Sequence, residues 1–134
     1  MALQFSTSVR DARANAIESV TGSAPLLQIR TGTAPVNCQA PASGALLAQI
    51  TLPTDWLSEA VNGVKTKVGI WQASATGTGI AGHFRILNNA GSVCHAQGSI
   101  SMPGEGGEME LDNVNVAVNQ QITVELFDFT EANA

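Results

Sequence analysis

The stretch Gly82–Ser101, GHFRILNNAGSVCHAQGSIS, limits what this chain can fold into more than any other. Phe84 and Ile86 alternate with His83 and Arg85, and Cys94, Ala96 and Ile100 follow at even positions. Alternation with a period of two places successive side chains on opposite faces of an extended backbone. Asn88-Asn89-Ala90-Gly91, between the two runs, supplies residues that tolerate positive φ. The stretch therefore predicts a β-hairpin.

Similar short runs lie on both sides. After Pro25, Leu27 and Ile29 alternate with Gln28 and Arg30; TGTAP then turns the chain, and residues 36–44, VNCQAPASG, read as a surface loop. Leu46, Ala48, Ile50 and Leu52 alternate with Leu47, Gln49 and Thr51 until Pro53, and Thr54-Asp55-Trp56-Leu57 reads as a turn. Beyond Asn62-Gly63, the pattern predicts Val64, Thr66, Val68 and Ile70 on one face, opposite Lys65, Lys67 and Trp71. Met109 with Leu111, then Val114, Val116 and Val118, then Ile122, Val124 and Leu126 complete the series. Seven or eight short strands with no helix between them predict an all-β fold, a two-sheet antiparallel sandwich or jelly roll.

In the last run the phase slips, because Phe127 and Phe129 occupy odd positions after an even-numbered apolar set. Either a bulge turns the strand there or its end is buried on both faces. The second option leaves an aromatic edge that needs a cover. Trp56-Leu57 and Phe127 with Phe129, apolar residues outside the clean alternation, are accordingly the candidate protein-contact residues.

One helix is predicted, over about residues 6–21. Val9, Ala12, Ala16 and Val20 recur at helical spacing, Ser8 with Asp11 fits a capping box, and Gly22 fits a stop. Its stripe of small apolar residues is expected to lie against the sheet and close one end of the core. With the sandwich over about 25–130, residues 1–134 are expected to form a single domain.

Aromatic residues make up only 4% of the chain, with no Tyr, so the core is expected to be built from Val, Ile, Leu and Ala. Charged residues make up 13%, about half the usual share. Much of the surface is then Ser, Thr, Asn, Gln and Gly, or is covered by a partner. All six basic residues lie between Arg10 and Arg85, while the last 49 residues carry seven acids and no Lys or Arg. A chain with net charge −5 and no basic cluster has no counterion release to drive nucleic-acid binding. The N-terminus, MALQFSTSVRDARANAI, lacks the basic and apolar regions of a secretory signal. No stretch approaches the ~20 apolar residues of a membrane span. The expectation is a protein made and kept in a cytosol, where Cys38 and Cys94 are buried thiols rather than a bridge.

Catalytic chemistry finds little to work with. His83 and His95 are the only histidines, and both read as surface or edge-strand residues. Cys94 and His95 point to opposite faces on simple alternation, whereas a zinc site needs three or four converging ligands. TGTGIAG, residues 76–82, is followed by neither the Lys-Ser/Thr of a P-loop nor the helix of a dinucleotide fold. No Gly-x-Ser-x-Gly elbow is present, and Cys38 has no evident base. Glu105, Glu108 and Glu110 crowd a glycine-rich turn rather than flank a sugar platform. No catalytic, cofactor-binding or metal-binding residue is nominated: the expectation is a protein that is not an enzyme and needs no cofactor. Trp56 and Trp71 read as core packing, with a sugar platform as the alternative.

The order of segments ALQFSTSVRDARANAI, LQIRTGTAP, SGALLAQITLP, TGTGIAGHFRIL, LDN and QQITVELFDFT resembles that of the small structural proteins encoded near the head genes of tailed bacteriophages. Within that group it is similar to the head cement, or decoration, proteins with jelly-roll folds. The resemblance implies a virion structural protein on the outer capsid surface, assembled in the bacterial host cytoplasm. Its partners would be the major capsid protein, whose subunits it bridges to stabilise the DNA-filled head, and a second copy of itself at two-fold positions. A tail or baseplate component and a carbohydrate-binding sandwich module are the alternatives.

Overall fold

The computed structural model describes residues 3–131, so the first two and last three residues of the expected domain lie outside the described residues. One helix, α1 (Thr7–Thr21), is followed by nine strands: β1 (Leu26–Thr31), β2 (Leu46–Thr51), β3 (Val64–Thr66), β4 (Gln72–Ser74), β5 (Gly79–Leu87), β6 (Cys94–Ser101), β7 (Met109–Leu111), β8 (Asn115–Val116) and β9 (Gln121–Thr130). The all-β class with one short N-terminal helix is the one that the alternation predicts. The strands differ from two separate antiparallel sheets in hydrogen-bonding into one sheet, in the order β2-β1-β5-β6-β7-β9-β3, curled into a half-barrel. β4 pairs with β9 and β8 with β5.

The central hairpin forms where it is predicted. β5 and β6 pair antiparallel from His83↔Ser99 to Leu87↔Cys94. Asn88 closes the turn: its side-chain Oδ1 accepts from the Ser92 N–H at 2.9 Å, and its own N–H donates to the Val93 carbonyl at 3.0 Å. β6 then runs parallel to β7, pairing Ile100 with Met109. Parallel neighbours normally need a crossover of about a dozen residues or more, and here residues 102–108 suffice. Glycines make this return possible: a Cβ on Gly107 would lie 2.8 Å from the Ser101 backbone nitrogen. The Gly107 N–H donates to Ser101 Oγ at 2.9 Å, and the Gly104 N–H donates to Glu110 Oε1 at 3.0 Å.

β9 lies between β7 and β3 and is shared by three strands. One edge pairs with β4 (Gln72↔Thr123) and with β3 (Thr66↔Asp128), the other with β7 (Met109↔Phe127). Between Glu110↔Leu126 and Leu111↔Val124 the register shifts. That bulge explains the slip of phase: Ile122 and Val124 point inward before it and Phe127 after it, while Leu126 turns to solvent.

The core is mostly the Leu, Ile, Val and Ala that the composition predicts, with a chain of aromatic side chains running through it. Trp56 lies 6.2 Å from Trp71, Trp71 5.7 Å from Phe127, and Phe127 5.6 Å from Phe84 and 6.4 Å from Phe129. Leu27, Ile29, Leu47, Ile50, Ile86, Met109, Leu111 and Ile122 pack around them. Residues 64–71 have the phase opposite to the prediction: Lys65 and Trp71 are buried, whereas Val68 and Ile70 are exposed. β3 is only three residues long and the chain then leaves the ladder, so alternation does not carry through to Trp71.

Candidate functional site

The helix is turned the other way from its prediction. Val9 (42% exposed) and Val20 (68%), with the exposed Ala12 and Ala16, form an outward stripe. The inward face carries Asp11, Ala14, Asn15, Ile17, Glu18 and Thr21. Its polar groups are there because the irregular segment 57–63 has backbone donors that no strand satisfies. Asp11 Oδ1 accepts from the Gly63 N–H at 2.6 Å, Asn15 Oδ1 from Ala60 at 3.2 Å, and Glu18 Oε2 from Leu57 at 3.2 Å. Arg10 adds the reverse contact, donating to the Asn62 carbonyl at 2.8 Å and the Glu131 carbonyl at 3.0 Å. The N-cap is Ser6, whose Oγ accepts from the Val9 N–H, in place of the Ser8–Asp11 box; Gly22 is the stop, as predicted.

Lys65 reaches this face from β3. Its Nζ donates to Asn15 Oδ1 at 2.8 Å and lies 2.9 Å from Glu18 Oε1. Burial pushes the Glu18 carboxyl up, but hydrogen bonds from Lys65, the Leu57 N–H and Asp55, with the Lys65 charge, outweigh it and leave Glu18 below its ordinary value. Asp55 is raised by its hydrogen bond to Glu18, with smaller contributions from burial and from the Glu18 and Glu59 charges.

The contact residues nominated from the sequence are corrected here. Trp56 and Leu57 are each 1% exposed and Phe127 is 7% exposed, so these three side chains present almost no surface. Trp56 fills the space beneath the helix end, its indole N–H donating to the Gly22 carbonyl at 3.2 Å, and the β9 bulge turns Phe127 inward. Phe129 is half-buried at the rim. Trp56 and Phe127 with Phe129 do share a cavity of about 240 Å³ under α1, which Ile17, Phe84 and Ile86 also line. Trp71 is fully buried, its indole N–H on the Val68 carbonyl at 2.9 Å, so neither tryptophan is a sugar platform.

The outer face of β1, β5 and β6 carries a second polar layer. His83, expected at the surface or on an edge strand, and Arg85 are buried on the side of β5 opposite Phe84 and Ile86 because residues 32–44 fold over them. Arg85 Nη2 donates to the Cys38 carbonyl at 2.7 Å, and both Nη atoms donate to the Ala40 carbonyl at 3.1 Å. His83 Nδ1 lies 2.9 Å from the Gly32 carbonyl, which can only accept, so this nitrogen carries a proton. Gln97 Nε2 donates to the Pro35 carbonyl at 2.7 Å, and Arg30 to those of Ser43 and Gly44. Burial, and then the Arg85 charge, lower the Arg30 pKa. His83 Nε2, Arg85 Nε and Gln97 Oε1 are buried without a partner.

Of the remaining candidates, Glu108 and Glu110 have structural partners. Glu108 accepts from the Ser99 hydroxyl and N–H, and those bonds hold it below the ordinary carboxylate value despite partial burial. His95 lines a groove beside Ala16, Ile17, Val20 and Thr21. Among the described residues, no three His, Cys, Asp or Glu converge where they could hold a metal ion, and no helix is long and apolar enough to cross a membrane. No family model, curated protein or solved structure matches the chain.

Proposed function

We propose that this protein is a structural adhesive of a tailed-phage head, docking on the outer face of the shell and bridging neighbouring major capsid subunits. The observation that carries this reading is the orientation of α1. A helix on a sheet ordinarily buries its apolar stripe; this one spends its polar face on the segment 57–65 and leaves Val9, Ala12, Ala16 and Val20 to solvent. A groove lined by Ile17 and His95 borders that stripe. Charged residues are only 13% of the chain, so a partner covering its surface desolvates few charges; Arg13 on the helix, ion-paired with Glu131, lies beside the stripe. Repetition over a symmetric shell multiplies a modest contact, and an isologous pair of copies suits two-fold positions. The role is one of binding rather than turnover.

The test is co-sedimentation of the purified chain with DNA-filled heads of the phage that encodes it, followed by a copy count. Hundreds of copies per head, reduced at least tenfold by Val9→Asp with Val20→Asp, support the reading. Absence from heads, or a small multiple of three or six on tails, overturns it.

A further inference from the structure

The register of β5 and β6 seats Cys94 opposite Leu87, two residues along from Arg85 in β5 and on the same outer face. The Arg85 guanidinium crosses that face and holds the Cys38 carbonyl at 2.7 Å. The two cysteines, distant in sequence and each half-buried, thereby line one cavity of about 260 Å³, together with Gln28, Gln39 and Ser92. Cys94 Sγ lies 3.3 Å from the Ala96 carbonyl, and the cavity that both cysteines line places the two thiols on the same side of the sheet. The bonds that hold the 32–44 segment from below come from side chains of the sheet: Arg30, His83, Arg85 and Gln97.

We propose that Cys38 and Cys94 are an oxidisable pair whose disulfide staples the 32–44 segment to the β5–β6 hairpin. Hydrogen peroxide is the oxidant class. One thiolate attacks a peroxide oxygen; the S–O bond forms, the O–O bond breaks, and hydroxide leaves to take up the proton that the thiol released. The second sulfur, as thiolate, attacks the sulfenic sulfur; the S–S bond forms, the S–O bond breaks, and the hydroxyl departs as water with the second proton. Two thiols and one peroxide become one disulfide and two waters, the sulfurs oxidised and the peroxide reduced. Burial pushes the Cys38 thiol up to about 11, with hydrogen bonding to Cys94 adding to it and the Arg85 charge only partly offsetting it. Capture of a proton-free Cys38 therefore speeds up about tenfold per pH unit below that value.

The experiment treats the purified full-length chain with dilute hydrogen peroxide at mildly alkaline pH, then reads intact mass, free thiols, a peptide map and thermal unfolding. The expected product is a monomer about 2 Da lighter, with both thiols lost together and a Cys38–Cys94 linked peptide. Its Tm is higher by roughly 10 °C, and dithiothreitol reverses the change. Cys38→Ser and Cys94→Ser each abolish the 2 Da loss and the Tm shift. Oxygen adducts on unlinked cysteines, a disulfide-bonded dimer, or unreacted thiols overturn the proposal. So does a linked product that melts like the reduced chain.

Discussion

Two covers lie on this sheet, the helix α1 on the segment 57–65 and the segment 32–44 on the outer face of β5, and each buries a cation. Under the helix, Lys65 meets the Glu18 carboxylate and the Asn15 carbonyl, so its charge is neutralised where it is buried. Under the loop, Arg85 is 4% exposed and meets only peptide carbonyls, and among the described residues no Asp or Glu pairs with it. Its own Nε and two neighbouring atoms, His83 Nε2 and Gln97 Oε1, are buried without a partner, against none on Lys65 or Glu18. Both arrangements remove a charge from water, which is costly unless it is compensated. Only the helix side supplies an opposite charge. The difference teaches that this protein fixes its helix by ion pairing and holds its loop by a softer, neutral-acceptor clasp.

The sharpest way to break that contrast is to remove the carboxylate. Glu18→Ala leaves Lys65 buried without its counter-ion and is expected to cost about 3 kcal/mol in urea unfolding, the low end for a broken buried pair because Glu18 keeps some solvent contact. The same pair sets an acid limit. Because the folded Glu18 pKa lies below the ordinary 4.5, its contribution is complete above 4.5 and is lost as pH falls through the lower folded value. A stability profile from neutral to acid pH shows that loss in the wild type, and Glu18→Ala lacks it.

Arg85→Met comes next, with an expected cost of about 1–2 kcal/mol, because the loss of its bonds to carbonyls is partly offset by no longer burying an unpaired charge. Amide hydrogen exchange should accelerate in residues 38–44 and stay unchanged in α1. A cost equal to that of Glu18→Ala, or exchange that rises in both covers, would erase the distinction. The smallest effect is expected on the outer side of the helix. Val9→Ser and Val20→Ser should each change stability by no more than about 0.5 kcal/mol, since neither side chain packs inward. A loss above about 1 kcal/mol for either would show the stripe to be structural rather than free for docking.

Much of the frame is legible in residue order. The β5–β6 hairpin, the strand ended by Pro53 and the helix stop at Gly22 rest on local signals, and local signals decide them. What was not legible is which face each element buries. The Val9–Val20 stripe looks like the inner face because it is apolar, but the unpaired N–H groups of Leu57, Ala60 and Gly63 recruit the polar side, and nothing in α1 itself announces that demand. His83 and Arg85 alternate as outward residues and do point away from the aromatic core, yet they are covered by a loop whose acceptors are backbone carbonyls common to every sequence. At the nominated contact residues, the bulge option for β9 and the burial of Phe127 go together. Trp56 and Leu57 stand outside the clean alternation, which nominates them for contact, but the helix end closes over their turn and Trp56 packs in the core, as its other reading has it.

The shared use of β9 by β3, β4 and β7 has a consequence for biogenesis. As the polypeptide emerges from the ribosome, β3 and β4 appear early and wait unpaired until β9 has cleared the exit tunnel. Half of the sheet then closes in one late event, with long-range pairings that make folding slow. In that interval the nascent chain displays Trp56 and Trp71 openly, so chaperone capture and the risk of premature aggregation concentrate on the span before β5.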